Sequence, residues 1–438
     1  MLWRKIYNDL LKWKETEGHN PLIIKGCRQC GKTFAVRQFA EEHYDNVVYI
    51  NFFENPAYKD IFSGSLNVDD IIMNMTAFVS GSIFEIGKTV IILDEIQECP
   101  QARTALKFFK LDGRYDIICT GSLLGVKGYG DNPASIPVGY ETVFDMYPLD
   151  FYEFIRANGV TEQIISKLQE CLDSEMPVPD AIHIKLRELL LQYIIVGGMP
   201  RAVQVFVETK QLSLVKNIQT DIVNAYKDDM IKYAPAADKS KIRECFESIP
   251  AQLSKENKKF QYSLIEKKGT SSKFGGSLQW IEDAGIIVRC YNLSVPQLPL
   301  EGNVIRDIFK VYMADIGLLV SMLEPGTQSD ILLGNIQIYK GALFENLIAD
   351  IFSKMGRRLY YYHKDSGLEI DFVTRYKGEC TLVEVKAVSG NAKSLKTVLA
   401  DSEHYNIHSA IKLGDYNIGR SGVVLTLPLY MAFLLQRY

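Results

Sequence analysis

The segment Gly26-Cys27-Arg28-Gln29-Cys30-Gly31-Lys32-Thr33 constrains this chain more than any other stretch of its 438 residues. It has glycine, four free positions, glycine, lysine and then threonine, set between the apolar run Pro21-Leu22-Ile23-Ile24 and the amphipathic stretch Lys32 to Tyr44. Strand, glycine-rich loop and helix in that order make a phosphate cradle. Glycines let backbone N–H groups turn towards a polyphosphate, and the helix start adds its partial positive charge. Lys32 is then placed to reach the β and γ phosphates of ATP, and the Thr33 hydroxyl to coordinate Mg²⁺.

Such a loop needs an acid at the end of a neighbouring strand. Val90 to Leu93 followed by Asp94 and Glu95 supplies one. Asp94 is expected to hold the Mg²⁺ and Glu95 to polarise the attacking water. A further apolar run, Asp116 to Cys119, ends in Thr120, Gly121 and Ser122. Ligands gather at the carboxyl ends of strands in doubly wound sheets, so Ser122 is the hydroxyl expected to orient water or sense the γ-phosphate.

The first 148 residues alternate β-branched runs with helical patterns, which predicts an α/β fold with a parallel sheet covered on both faces. Residues 149–235 read as a helical extension. Residues 236–300 read as a winged helix-turn-helix, with helices at KIRECFESIPAQLS, FQYSLIEKKG and SSKFGGSLQWIEDAG. Residues 301–438 read as a second α/β unit. Between Ala236 and Gly275, nine Lys and Arg outnumber five Asp and Glu, a local excess of +4 within a chain whose formal charge is -4. Ser272, Lys273, Ser277 and Gln279 on the last helix are therefore candidates for reading a nucleic-acid groove, with the lysines on phosphate. Solvated helix faces would give the same charge tally.

In the C-terminal unit, Glu384 and Lys386 lie two apart in the strand TLVEVKAV and share one face. A hairpin centred on Lys377 and Gly378 sets Asp371 opposite Glu384, and Glu345 stands on a nearby helix. Clustered acids beside a lysine suit Mg²⁺-dependent phosphodiester hydrolysis, as in a PD-(D/E)xK nuclease core, with Lys386 positioning water. A structural ion-pair group in a degenerate core of that kind is the competing reading.

The motifs GCRQCGKT, VIILDEIQ, CTGS and GGMPRAV, in this order, resemble those of archaeal-type AAA ATPases of the STAND-related branch. The resemblance implies an N-terminal AAA ATPase domain, a winged helix and a C-terminal domain with a nuclease-like pattern. It also implies that Gly197 to Arg201 begins a lid near the nucleotide. The usual loop of these relatives reads GPRQVGKT, so Cys27 and Cys30 depart from it at unspecified positions. Arg201 and Arg103 are candidate finger arginines, although an ordinary surface role is the stronger reading for each.

Eight scattered cysteines are expected to be thiols in a reducing cytoplasm. The charged start MLWRKIYNDLLKWKE is not expected to act as a signal peptide, and no apolar run reaches the roughly 20 residues that cross a bilayer. The expected partners are ATP and either DNA or a protein, without a membrane; the number of subunits is not legible.

Overall fold

A computed structural model describes residues 2–122, 139–255, 259–334, 340–386, 393–401 and 404–436. Lys258 and Glu256, counted in the basic stretch above, lie outside them. The chain divides into two compact units, one formed by residues 3–148 and a larger one containing residues 149–438.

The smaller unit contains α1 (Ile6–Glu15), β1 (Leu22–Lys25), α2 (Lys32–His43), β2 (Asn46–Asn51) and α3 (Val68–Phe78). It continues through β3 (Thr89–Asp94), α4 (Pro100–Asp112), β4 (Asp116–Gly121) and β5 (Thr142–Asp145). All neighbouring strands pair in parallel, in the order β2-β3-β4-β1-β5. Every residue of β3 is buried, as a central parallel strand covered on both faces requires. One apolar cluster packs α3 and α4 on one face of the sheet, and a second packs α1 and α2 on the other. Because β4 lies between β1 and β3, the carboxyl ends of those three strands stand side by side.

The larger unit begins with helices α5 (Phe151–Ala157), α6 (Glu162–Ser174), α7 (Asp180–Val196), α8 (Pro200–Thr209), α9 (Leu212–Tyr233), α10 (Lys239–Leu253) and α11 (Ser271–Asp283). Asp150 and Glu153 form a reciprocal capping box that starts α5. Then follow β6 (Ile287–Leu293), β7 (Val304–Met313), α12 (Ile316–Ser321), α13 (Thr327–Leu333), α14 (Lys340–Lys354), β8 (Leu359–His363) and β9 (Glu369–Tyr376). The chain ends with β10 (Glu379–Val385), α15 (Lys393–Ala400), β11 (Ser409–Gly414), β12 (Gly419–Ser421) and β13 (Val424–Pro428). The strands make one mixed sheet, ordered β12-β13-β11-β10-β9-β8-β6-β7.

Two features differ from the winged-helix expectation. FQYSLIEKKG forms only a single 3₁₀ turn, Tyr262–Leu264. Lys268 takes a positive φ of 71°, and a Cβ on Gly269 would stand 2.2 Å from the Tyr262 carbonyl oxygen, so the chain folds back before a helix can extend. The β6–β7 hairpin is also no free wing, because β6 pairs with β8 along its other edge. The 300/301 boundary expected from sequence thus falls inside a continuous sheet.

The glycines of GGMPRAV are explained by packing within the larger unit. Gly197 has a φ of 68°, and a Cβ there would lie 2.2 Å from Asp315 Oδ1; one on Gly198 would lie 1.9 Å from the Leu149 carbonyl oxygen. Asp315 Oδ2 accepts from the Gly198 amide at 2.7 Å. Behind it, the buried Lys354 ammonium pairs with Asp350 at 2.6 Å and reaches Asp315 at 3.6 Å.

Candidate functional site

The loop Gly26 to Thr33 joins the carboxyl end of β1 to the start of α2. Gln29, at φ 64°, and Gly31, at φ 96°, make the tight turn, and Gly31 caps the helix. Gly26 is required for a steric reason: a Cβ would lie 2.0 Å from the Met146 carbonyl oxygen. Arg4 clamps the loop against the end of β5, donating to the Cys30 carbonyl at 2.9 Å and to that of Tyr147 at 2.5 Å. Lys32 is buried, and its ammonium donates to the carbonyls of Gly26 at 3.0 Å and Cys27 at 2.8 Å. Arg28 is half-buried and Gln29 exposed.

Thr33 opens α2 and faces the end of β3. Its hydroxyl donates to Asp94 Oδ2 at 3.0 Å and Oδ1 at 3.2 Å. Asp94 is 2% exposed and collects further donors: Tyr49 at 2.7 Å, the Asn51 side-chain amide at 3.2 Å, the Glu95 amide at 3.0 Å, and the Thr120 hydroxyl. This shell supplies the buried carboxylate with the hydrogen bonds that burial would otherwise deny it. The same hydrogen bond to Asp94, after burial, pushes the Tyr49 phenol above its ordinary value. Glu95 sits in the left-handed region at φ 54°. It accepts from Gln97 and, at 3.4 Å, from Ser122 Oγ at the end of β4. The structure therefore brings Lys32, Thr33, Asp94, Glu95 and Ser122 together at one end of the sheet. Thr33 and Asp94 form an adjacent hydroxyl and carboxylate of the type that holds Mg²⁺. Arg103 is committed elsewhere, forming a forked pair with Glu141 at 2.6 and 3.1 Å.

Sequence reading missed Tyr49 and Asn51, and it named Thr120 but chose Ser122 as the hydroxyl of that strand end. The signal was present as polar residues at the carboxyl ends of apolar strands, where a pleated sheet places them beside the acid of the next strand.

A second charged cluster lies in the larger unit. The β9–β10 hairpin turns at Lys377 and Gly378, both at positive φ, and pairs Phe372 with Val383. Continuing that register by one step sets Asp371 beside Glu384. Asp371 Oδ2 accepts from the Val385 amide at 2.7 Å, and Lys386 pairs with Glu384 at 2.5 Å. Glu345 is fixed because its neighbour Asn346 exchanges hydrogen bonds of 2.8 and 3.0 Å with the backbone of Met313 in β7. Lys310 carried no mark in the sequence. Its ammonium, 1% exposed, lies 3.5 Å from Glu345 and 2.5 Å from Glu369. Burial, then the charges of Glu345 and Glu384, hold the Asp371 carboxyl well above its usual range. Burial also raises Glu384, against the pull of Lys386. One oxygen of Glu384, Oε2, is buried without a hydrogen-bond partner. Among the described residues, no three His, Cys, Asp or Glu side chains converge closely enough to hold a metal ion.

The groove-reading candidates on α11 are largely committed. Ser277 is buried, and Gln279 bonds Asp283 at 2.8 Å and accepts from Arg289. Lys273, exposed, pairs with Glu266. Among the described residues, no helix is long and apolar enough to cross a membrane.

Three solved structures resemble the chain at low identity. They are the Walker-type ATPase PABY2304 of Pyrococcus abyssi (14% identical, 74% of this chain and 96% of that one, TM-score 0.43), the Orc1 protein of Aeropyrum pernix in complex with DNA (12%, 76% and 91%, 0.29), and AMPPCP-bound DnaA of Aquifex aeolicus (13%, 64% and 87%, 0.28). These likenesses are too distant to carry a functional argument. No curated protein matches the sequence. Residues 187–329 and 340–430 match two families described as domains of unknown function (DUF8612 and DUF4143). Residues 18–155, which hold the loop, β3 and β4, match a family described as an AAA domain.

Proposed function

We propose that the N-terminal unit binds ATP with Mg²⁺ and hydrolyses it, and that the larger unit answers to the nucleotide state. The observation that carries this reading is the direct contact, 3.0 and 3.2 Å, between Thr33 Oγ1 and both carboxylate oxygens of Asp94. It joins the end of a phosphate-binding loop to an acid from a different strand, the pair expected to share the metal of a nucleoside triphosphate. The backbone from Gly26 to Thr33 holds the polyphosphate. Lys32 exchanges the carbonyls of Gly26 and Cys27 for the β and γ phosphates. Mg²⁺, when bound, neutralises charge on the phosphate oxygens. Glu95 accepts the proton of the attacking water, and Ser122 orients Glu95 through their 3.4 Å contact.

Two variants test this. Lys32→Ala loses nucleotide binding, whereas Glu95→Gln retains it and hydrolyses ATP about 10²- to 10⁴-fold more slowly, the range for a lost general base. Wild-type turnover in both variants refutes the assignment.

For the larger unit, the observation with most weight is Lys310. A buried ammonium pairs with two carboxylates, Glu345 and Glu369, while on α11 Ser277 is buried and Gln279 is held by Asp283 and Arg289. This supports a nucleotide-dependent regulatory scaffold that recognises a partner without cutting it. The orphaned Glu384 Oε2 favours the second reading, DNA cleavage assisted by Lys386, for which Glu345, Asp371 and Glu384 would have to draw closer together than they stand here to hold a metal. Nicking by the wild type that disappears in both Glu384→Ala and Lys386→Ala selects the second reading. Absence of nicking in all three selects the first.

A further inference from the structure

Nucleotide chemistry leaves two side chains of the loop unused, Cys27 and Cys30. Neither occupies a position that phosphate binding specifies, yet both are sulfur. They are buried, at 4% and 0% exposure, within one apolar cluster. Gln29, at positive φ, turns the chain between them, and the Cys27 side chain hydrogen-bonds the Cys30 sulfur. That sulfur lies 3.4 Å from the Met146 carbonyl oxygen and 3.9 Å from the Lys32 ammonium. The same ammonium donates to the Cys27 carbonyl at 2.8 Å. The two thiols and the phosphate-binding lysine therefore form one contact group.

The electrostatics set this pair apart from the other thiols. The Cys27 hydrogen bond, helped by the charges of Lys32 and Arg4, holds the Cys30 thiol below its ordinary value despite burial. Burial pushes the thiols of Cys99, Cys119, Cys245, Cys290 and Cys380 upward instead. Thiolate character and access together govern which cysteines oxidise, so a peroxide reaches this buried pair only when the loop opens.

We propose that Cys27 and Cys30 form a reversible disulfide in response to a peroxide, and that this bond locks the loop in its nucleotide-free shape. The nucleotide half of the proposal rests on the ATP reading above. In the first step the Cys30 thiolate attacks the peroxide: an S–O bond forms, the O–O bond breaks, and hydroxide leaves as water with the Cys27 proton when the oxidant is hydrogen peroxide. The Cys27 thiolate then attacks the Cys30 sulfur. The S–S bond forms, the S–O bond breaks, and hydroxide leaves as water after taking up a proton. Two electrons pass from the sulfurs to the peroxide. Closing the sulfurs to about 2.05 Å ties together the ends of the turn that carries the Arg28 and Gln29 amides. The loop then cannot adjust those N–H groups to a phosphate, and Lys32 stays on its own carbonyls.

The loop sequence provides a direct readout. Cleavage after Lys25, Arg28 and Lys32 leaves one cysteine in Gly26–Arg28 and the other in Gln29–Lys32, so a disulfide covalently joins two tryptic peptides. Full-length protein is treated with hydrogen peroxide, digested without reductant, and in parallel titrated with a fluorescent ATP analogue. The expected result is a linked peptide pair and an affinity at least tenfold weaker, both reversed by dithiothreitol. In Cys30→Ser, peroxide produces no link, and the ratio of affinities before and after treatment is one whatever its starting affinity. Unlinked peptides after oxidation, or linked peptides with unchanged affinity, overturn the proposal. Reduced protein that fails to bind ATP refutes the nucleotide reading and the control of binding with it, while the linked peptides still decide on the disulfide.

Discussion

Asp94 should be as important to folding as to chemistry, and Asp94→Asn separates the two roles. Its carboxylate accepts from the hydroxyls of Thr33, Tyr49 and Thr120, the Asn51 amide and the Glu95 backbone amide. Replacing one oxygen with an NH₂ group leaves the shape unchanged but removes an acceptor and the charge. The three hydroxyls can rotate and accept instead. The Asn51 and Glu95 N–H groups cannot, so in either orientation of the new amide one of them faces another donor. An abandoned buried donor costs about 1–3 kcal/mol, and the remaining bonds lose roughly half their strength with the charge. The expected destabilisation of the N-terminal unit is therefore about 2–4 kcal/mol. With a urea dependence of roughly 2 kcal/mol per molar, its unfolding midpoint falls by about 1–2 M. Hydrogen exchange of the β3 peptide across a urea series reads this unit by itself. A midpoint within about 0.3 M of wild type would refute the view that Asp94 is the hub of this sheet edge, even if turnover were lost.

Other consequences are as specific. Gly26→Ala should cost about 1–3 kcal/mol and weaken ATP binding, because its Cβ would enter the Met146 carbonyl; unchanged urea stability and ATP affinity would contradict the steric account. Lys310→Met should lower the stability of the larger unit by about 3–5 kcal/mol by stranding Glu345 and Glu369, and adding Glu345→Gln should recover part of that loss; additive effects in the double variant would argue against the pairing. Burial pushes the Asp350 carboxyl up to about 7, against the pull of Lys354. The folded chain therefore holds a proton that the unfolded chain has released, and stability falls as pH rises from about 4 to about 7. Over that window Asp350→Asn should remove a slope of about 1.4 kcal/mol per pH unit from the unfolding free energy, and identical slopes would sink the assignment.

The legibility of this molecule follows the distance over which its information is written. The loop and the helix after it are local, and the spacing of Gly26, Gly31, Lys32 and Thr33 placed them directly. Asp94 was legible because an apolar run ending in acid is a short-range pattern. Tyr49 and Thr120 show in the sequence only as polar residues near strand ends; that they donate to Asp94 is decided once β2 and β4 flank β3. Lys310 was hidden for the same reason: its partners stand 35 and 59 residues away, and a lysine within VIRDIFKVYM carries no mark of burial. The missing second helix of the basic stretch is the opposite case. Local propensity favoured a helix, but the close approach of Gly269 to Tyr262 demanded a turn.

Crystals of the full chain grown with Mg²⁺ and a non-hydrolysable ATP analogue would test the main assignment most directly. The expected map shows the phosphates against the amides of the loop, Lys32 withdrawn from the Gly26 and Cys27 carbonyls onto the β and γ phosphates, and the metal between Thr33 and Asp94. Nucleotide bound elsewhere, with the Lys32 ammonium still on its own loop carbonyls and the Thr33–Asp94 contact intact, would contradict it.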